Sequence, residues 1–150
     1  MEGRGFTSTL SNDEKLLMAI VRAGEAYKRI VSSRFKQYGL SFPQYNILRV
    51  LDASESGESR ITNVSRIMLV PVANMTGLAK RLERSGFVER KADPSDERAT
   101  VLSITAKGRG TLMAIEKERD DCLWSLLSGF TAEEKLHLFS LVKRLVEPGR

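Results

Sequence analysis

Arg60-Ile-Thr-Asn-Val-Ser-Arg-Ile-Met-Leu-Val70, followed by Pro71-Val-Ala-Asn-Met-Thr-Gly-Leu-Ala-Lys-Arg-Leu82, decides the fold of this chain. Its pattern is a short helix, a tight turn and a second helix. Gly86-Phe-Val-Glu-Arg-Lys91, Asp93-Pro-Ser-Asp-Glu-Arg98 and Ala99-Thr-Val-Leu-Ser-Ile-Thr105 come next. They predict a pair of strands joined by a charged loop that contains a proline. A helix-turn-helix followed by a hairpin wing seats one helix in a major groove and leaves a basic loop free to reach along the backbone. The charge agrees: positions 60–110 hold ten Lys/Arg against five Asp/Glu, and the rest of the chain holds fourteen of each. The entire net charge of +5 therefore falls in this segment. A phosphate-binding surface requires that concentration, whereas general basicity would be spread over the chain.

Working outward, Asn63–Leu69 reads as the first helix of the pair, with Ile61 and Thr62 as a short strand before it. Pro71–Ser85 reads as the second helix, closed by Gly86. Phe87–Lys91 and Ala99–Ile104 are strands by β-branched and aromatic content. Upstream, Ser11-Asn-Asp-Glu14 has capping-box spacing and opens a helix whose apolar residues run at helical period from Leu16 to Phe35, with Gly39 as the stop. Ser41-Phe-Pro-Gln44 repeats the device with Pro43 in the first turn, and Tyr45, Ile47, Leu48 and Leu51 supply the buried stripe. Residues 52–59 are polar and read as a loop. Downstream, Thr105 caps a helix to about Ser128, with the stripe Leu112, Ile115, Arg119, Cys122, Leu123, Leu126 and Leu127; Gly108 and Gly110 weaken its first turns. Gly129 ends it. Thr131-Ala-Glu-Glu134 opens a last helix, stopped by Pro148.

With 150 residues, 41% of them hydrophobic and 29% charged, the chain has the make-up of one soluble domain. The start, around Gly3-Arg4-Gly5, is expected to fray. No run reaches the roughly 18 apolar residues of a membrane span, and no apolar signal core opens the chain, so a cytoplasmic location without membrane contact is expected. A helix of about 24 residues is on the order of 36 Å long, more than a winged core of this size can cover. A second copy is the economical way to bury the surplus apolar faces. The expected fold is mainly α (α+β), a winged helix-turn-helix with long N- and C-terminal dimerisation helices. Within one domain, 1–150, residues 41–104 form the DNA-binding part, and 11–38 and 105–147 form the homodimer interface.

On the second helix of the pair, Met75, Leu78, Ala79 and Leu82 share the core face. Val72, Ala73, Thr76, Gly77, Lys80 and Arg84 lie opposite, with Asn74 at the margin. Small residues at the helix start let the backbone approach a groove. Asn74 can pair with an adenine edge, Val72 or Thr76 can touch a thymine methyl, and Lys80 suits a phosphate. The same face could equally be a solvated surface, since amphipathic helices are everywhere. The loop is more telling. Asp96 can hold a cation or cap the turn, leaving Arg98 near the wing tip to enter a narrow minor groove.

The order Val70-Pro-Val-Ala-Asn-Met-Thr-Gly-Leu78, Arg81-Leu-Glu-Arg84 and Gly86-Phe-Val-Glu-Arg90 resembles the MarR family of bacterial regulators. So do Asp93-Pro94, Asp96-Glu-Arg98 and Ser103-Ile-Thr-Ala-Lys-Gly108. With Ser41-Phe-Pro-Gln-Tyr45 and the terminal helices, the resemblance spans nearly the whole chain. It implies a dimeric winged-helix repressor or activator on a pseudo-palindromic double-stranded DNA operator, released by a small aromatic or phenolic effector. It also implies that Arg98 is the wing arginine, Asp96 its supporting acid and Thr76 the threonine of the recognition helix. Many members carry Arg after that threonine. This chain has Gly77, which shortens its reach at one groove position and implies a changed operator preference.

Cys122 falls on an apolar stripe, which suits a packed thiol better than a redox switch. Redox-sensing members of the family carry a cysteine on the first helix, where this chain has none. His137 has no ligand partners at metal spacing, and neither a nucleophile–base pair nor a phosphate-binding glycine loop is evident. No enzyme, metal or cofactor is expected. Tyr27, Phe35, Tyr38, Tyr45 and Trp124 are available to pack a core or to line an effector pocket. The basic face keeps an alternative partner, an acidic protein, because a winged helix does not by itself guarantee specific DNA binding.

Overall fold

The computed structural model describes residues 9–147 and, for 119–122, the backbone alone. Gly3-Arg4-Gly5, Pro148 and the side chains of Arg119 and Cys122 lie outside the described residues. The chain forms helices α1 (Asn12–Gln37) and α2 (Phe42–Asp52), strand β1 (Glu58–Arg60), and helices α3 (Ile61–Met68) and α4 (Val72–Arg84). Strands β2 (Val88–Asp93) and β3 (Asp96–Ile104) and helices α5 (Ala106–Leu127) and α6 (Ala132–Val146) complete it. It is a mostly helical winged helix.

The three expected capping boxes are present. Ser11, Ser41 and Thr131 each accept from the backbone N–H three residues on, and Glu14, Gln44 and Glu134 reach back to the cap N–H. Gly39 ends α1 at φ +73°, the left-handed turn that lets the Leu40 N–H reach the Phe35 carbonyl at 3.1 Å.

Ile61 and Thr62 are not a strand. The strand lies earlier and takes the end of the expected loop over 52–59: Glu58, Ser59 and Arg60 pair with Ser103, Leu102 and Val101 of β3. Ile61 instead opens α3 and is buried there with Val64 and Ser65. Burial of one helix stripe outweighs the weak strand preference of a β-branched pair. The wing is also tighter than a loop over 93–98. Asp93 ends β2, Asp96 begins β3, and Pro94-Ser95 alone make the turn, with a register shift at Ala92/Asp93. The sheet is antiparallel in the order β1-β3-β2.

The core joins Ile47, Leu48 and Leu51 of α2 to Val64, Met75, Ala79 and Leu82 of α3 and α4, then to Phe87, Val88, Leu102 and Ile104 of the wing root and Leu112 and Ile115 of α5. Thr105 and its neighbours tie α4 to α5. The Thr105 hydroxyl donates to the Gly86 carbonyl at 2.7 Å and accepts from the Gly108 N–H at 3.1 Å. Lys107 donates to the Ser85 carbonyl at 2.7 Å and lies 4.6 Å above the Phe87 ring. Gly108, which costs helix propensity, is there for packing. A Cβ on it would stand 2.6 Å from the Phe87 carbonyl oxygen and 2.7 Å from Ile104. No residue of α6 is buried, and Leu136 and Phe139 are 72% and 67% exposed.

Candidate nucleic-acid interface

Pro71 fixes the entry to α4 as its N-cap, and Met75, Ala79 and Leu82 anchor the helix in the core while Leu78 packs partly against it. Every residue expected on the outer face is reached by solvent. Val72, Ala73, Asn74, Lys80 and Arg84 are exposed, and Thr76 and Gly77 are half-buried. The Thr76 hydroxyl donates to the Val72 carbonyl at 3.1 Å, which leaves its methyl as the outward feature. A Cβ added at Gly77 would meet nothing within 4 Å, so neither this helix nor its neighbours require the glycine.

Eight of the ten basic residues of positions 60–110 divide into two groups, while Arg66 donates to Asn63 and Lys107 to the Ser85 carbonyl. Arg60, Arg90, Lys91 and Arg109 are engaged with Asp93, Glu83, Glu58 and Asp52 at 2.6, 2.8, 2.5 and 2.9 Å. Lys80, Arg81, Arg84 and Arg98 form no ion pair among the described residues. Unpaired surface cations on one helix, with another on the adjacent wing, are what a run of phosphates neutralises. Arg81 joins the residues of α4 that the sequence points to. Its side chain is exposed one position after Lys80, and the apolar stripe that placed Leu78 and Leu82 inside was the signal for it.

Asp96 and Arg98 are brought together, though through backbone rather than as an ion pair. The Asp96 carboxylate accepts the Arg98 N–H at 3.1 Å and so caps the first residues of β3. The acid that grips a cation is Asp93, which is 8% exposed. Arg60 Nε donates to its Oδ2 at 2.6 Å, and the Ser95 N–H and hydroxyl donate to its Oδ1 at 2.8 and 2.6 Å. The Arg60 guanidinium first, then the Ser95 donors, hold the Asp93 carboxyl well below the usual carboxylate range. Nothing local in the sequence connects Arg60 to Asp93, 33 positions away.

A narrow cleft of about 20 Å³, room for little more than a water molecule, lies between α1, α2 and α5. Tyr27, Phe35, Tyr38 and Tyr45 line it beside Arg34 and Glu118. Phe35 stacks on Tyr45 at 4.1 Å, so most of that aromatic surface is also core. Tyr38 Oη donates to Glu118 Oε1 at 3.0 Å, and that bond to a carboxylate raises the phenol pKa. Trp124 stands apart from the cleft, 71% exposed. His137 sits on the outer surface of α6, and no cluster of His, Cys, Asp and Glu at metal-binding separation exists among the described residues. No helix among them is long and apolar enough to cross a membrane.

The chain resembles known proteins along most of its length. A model of the MarR family matches residues 38–99. The HTH-type transcriptional regulator TtmR of Methylorubrum extorquens is 34% identical over 131 residues, which are 87% of this chain and 64% of that protein. The chain thus spans less than two thirds of that relative's length. Sco5413, a MarR family transcriptional regulator from Streptomyces coelicolor, is 30% identical with a TM-score of 0.77, covering 89% of this chain and 91% of the other. Sco3205 from the same organism, solved in complex with DNA, shares the fold at a TM-score of 0.83 and 20% identity, over 96% of this chain and 92% of its own. These relatives are regulators rather than enzymes. With a family model spanning α2 to the wing, a 30% identical member superposed over nearly its full length, and the winged helix in place, the chain belongs to the MarR family of transcriptional regulators.

Proposed function

We propose that this protein is a homodimeric, sequence-specific double-stranded DNA-binding regulator, a repressor on a pseudo-palindromic operator, that acts by binding without catalysis and works in the cytoplasm. The observation that carries the reading is the row of unpaired cations Lys80, Arg81 and Arg84 on α4, beside Arg98 on the wing. Val72, Ala73, Asn74, Thr76 and Gly77 at the start of α4 then face base edges, Lys80 and Arg84 take phosphates, and Arg98, with its backbone held by Asp96, enters the minor groove. Residues 41–104 do the reading. Residues 11–38 and 105–147 hold the dimer, because α6 and the first half of α1 present Leu16, Leu17, Val21, Leu136 and Phe139 to solvent in a single chain. The aromatic and charged lining of Tyr27, Tyr38, Arg34 and Glu118 matches a small aromatic effector bearing a hydroxyl, which enters only by parting α1 from α5. Such a ligand shifts operator affinity by its preference for one dimer shape over another. Sco3205, solved with DNA, supports the partner class.

The test is selection of bound sequences from a random duplex library, followed by affinity against salt. An enriched palindrome about one to two turns long, with a steep negative salt slope, is the expected result. Retention of DNA without enrichment would instead favour the alternative of a basic face built for an acidic protein. On the selected operator, Arg98→Ala weakens binding most at A·T-rich flanks. Lys80→Ala lowers the salt slope by about one on every sequence.

A further inference from the structure

The outer face of the sheet, opposite the core, carries Glu58 and Arg60 on β1, Val101 and Ser103 on β3, and Glu89, Lys91 and Asp93 on β2, as the register requires. β1 and β2 are not neighbours, since β3 lies between them. Yet Lys91 reaches Glu58 at 2.5 Å and Arg60 reaches Asp93 at 2.6 Å, so two ion pairs of opposite sense span the middle strand. Arg60 also donates to the Ser95 hydroxyl at 3.0 Å, inside the wing turn. Val101 gives an independent sign that this lacing is closed. It is only 8% exposed although it belongs to the outer face and stands outside the main apolar cluster. Its register partners are Arg60 on one side and Lys91 on the other, both with aliphatic stems long enough to cover it. Arg60 is also the residue immediately before α3, its N-cap position, with no side-chain bond to the helix.

We propose that Arg60 is a positioning residue for DNA binding: its bonds to Asp93 and Ser95 fix the angle of the wing against the helix-turn-helix, and so place Arg98. A wing hinged only on β2–β3 pairing could swing about its root. Tying its turn to the start of α3 removes that freedom and lowers the ordering cost of binding. Arg60 does this without touching DNA itself. The proposal rests on the DNA reading above, and two separate readouts keep the two apart.

The experiment compares native protein with Arg60→Met, which keeps an aliphatic stem beside Val101, and with Asp93→Asn, which keeps an acceptor for the Ser95 N–H. Hydrogen exchange on the free proteins reports the wing. The Ser95 amide should exchange roughly tenfold faster or more in Arg60→Met while α4 amides keep their native rates. Binding to the selected operator should fall about tenfold in each variant, with the double variant no worse than either single one. The loss should concentrate at the wing flanks, and the salt slope should stay unchanged. An unchanged Ser95 exchange rate would overturn the clamp. A salt slope lowered by about one would overturn it too, because Arg60 would then be a phosphate contact. If no duplex binds the native protein, the functional reading fails while the exchange measurement still decides whether Arg60 orders the wing.

Discussion

Leu69 stands in the left-handed backbone region at φ +54° with 77% of its surface exposed, closing α3 just before the turn. An L side chain pays a steric penalty there and gains nothing from burial. Leu69→Gly should therefore stabilise the fold by about 0.5–1 kcal/mol, the relief of strain exceeding the added freedom of the unfolded chain. A lower denaturant midpoint would show that the Leu69 side chain has a contact worth more than its strain. Gly77 poses the reverse case. Gly77→Ala should raise stability by about 0.5–1 kcal/mol, since the added methyl meets open space in a helix interior. The same methyl should weaken operator binding if the α4 backbone approaches the groove there. Higher stability with unchanged affinity would take Gly77 out of the interface. Both faces of α4 were legible from its spacing. The Arg60–Asp93 bond was not, because contacts between distant positions leave no local pattern in one sequence.

At the scale of elements, the starts of α1, α2 and α6 are readable because a cap needs only its own next three residues, as Ser11, Ser41 and Thr131 illustrate, whereas α3 has no side-chain cap and starts at Ile61 instead of Asn63. Strand limits are not readable in this way, since they depend on a partner elsewhere. Sequence spacing predicts a strand at Ile61–Thr62 instead of Glu58–Arg60 because the register of β1 is set by Val101–Ser103 of β3, some forty positions on. For the same reason the sequence predicts both wing strands but too long a loop between them, 93–98, where Pro94-Ser95 alone make the turn. Its root should respond to acid with a defined sign. The Asp93 carboxyl is held below its ordinary value when folded, so the unfolded chain binds the proton more readily. The clamp's stabilisation is thus complete above the unfolded value, near pH 4, and is lost as pH falls through the lower native value. Glu58, also held low, first by Lys91, titrates in the same direction. Asp93→Asn should flatten the fall in unfolding free energy below about pH 4 and leave its slope near neutrality unaltered. Denaturant titrations at a series of pH values measure this, and identical acid slopes for the two proteins would contradict it.

For the molecule as a whole, α6 is the deciding element. It runs from Ala132 to Val146 without one buried residue, while Leu136, Phe139, Leu145 and Val146 stay more than half exposed. An apolar surface of this extent needs a cover, and a second copy supplies one to both chains at once. Phe139→Asp should yield a monomer in sedimentation and should weaken operator binding by about a hundredfold or more, because a linked pair of sites gains its affinity through effective concentration. A Phe139→Asp protein that sediments as a dimer would move the interface off α6.

β2 forms one edge of the three-stranded sheet. A bare edge is a template on which a strand from another molecule can grow, and the runaway outcome is a fibre. Glu89, Arg90 and Lys91 occupy the middle of that edge consecutively, so any incoming strand would have to desolvate charge on both faces of the sheet. The residues that crowd this short strand thus act as gatekeepers, keeping the hairpin from polymerising at high local concentration.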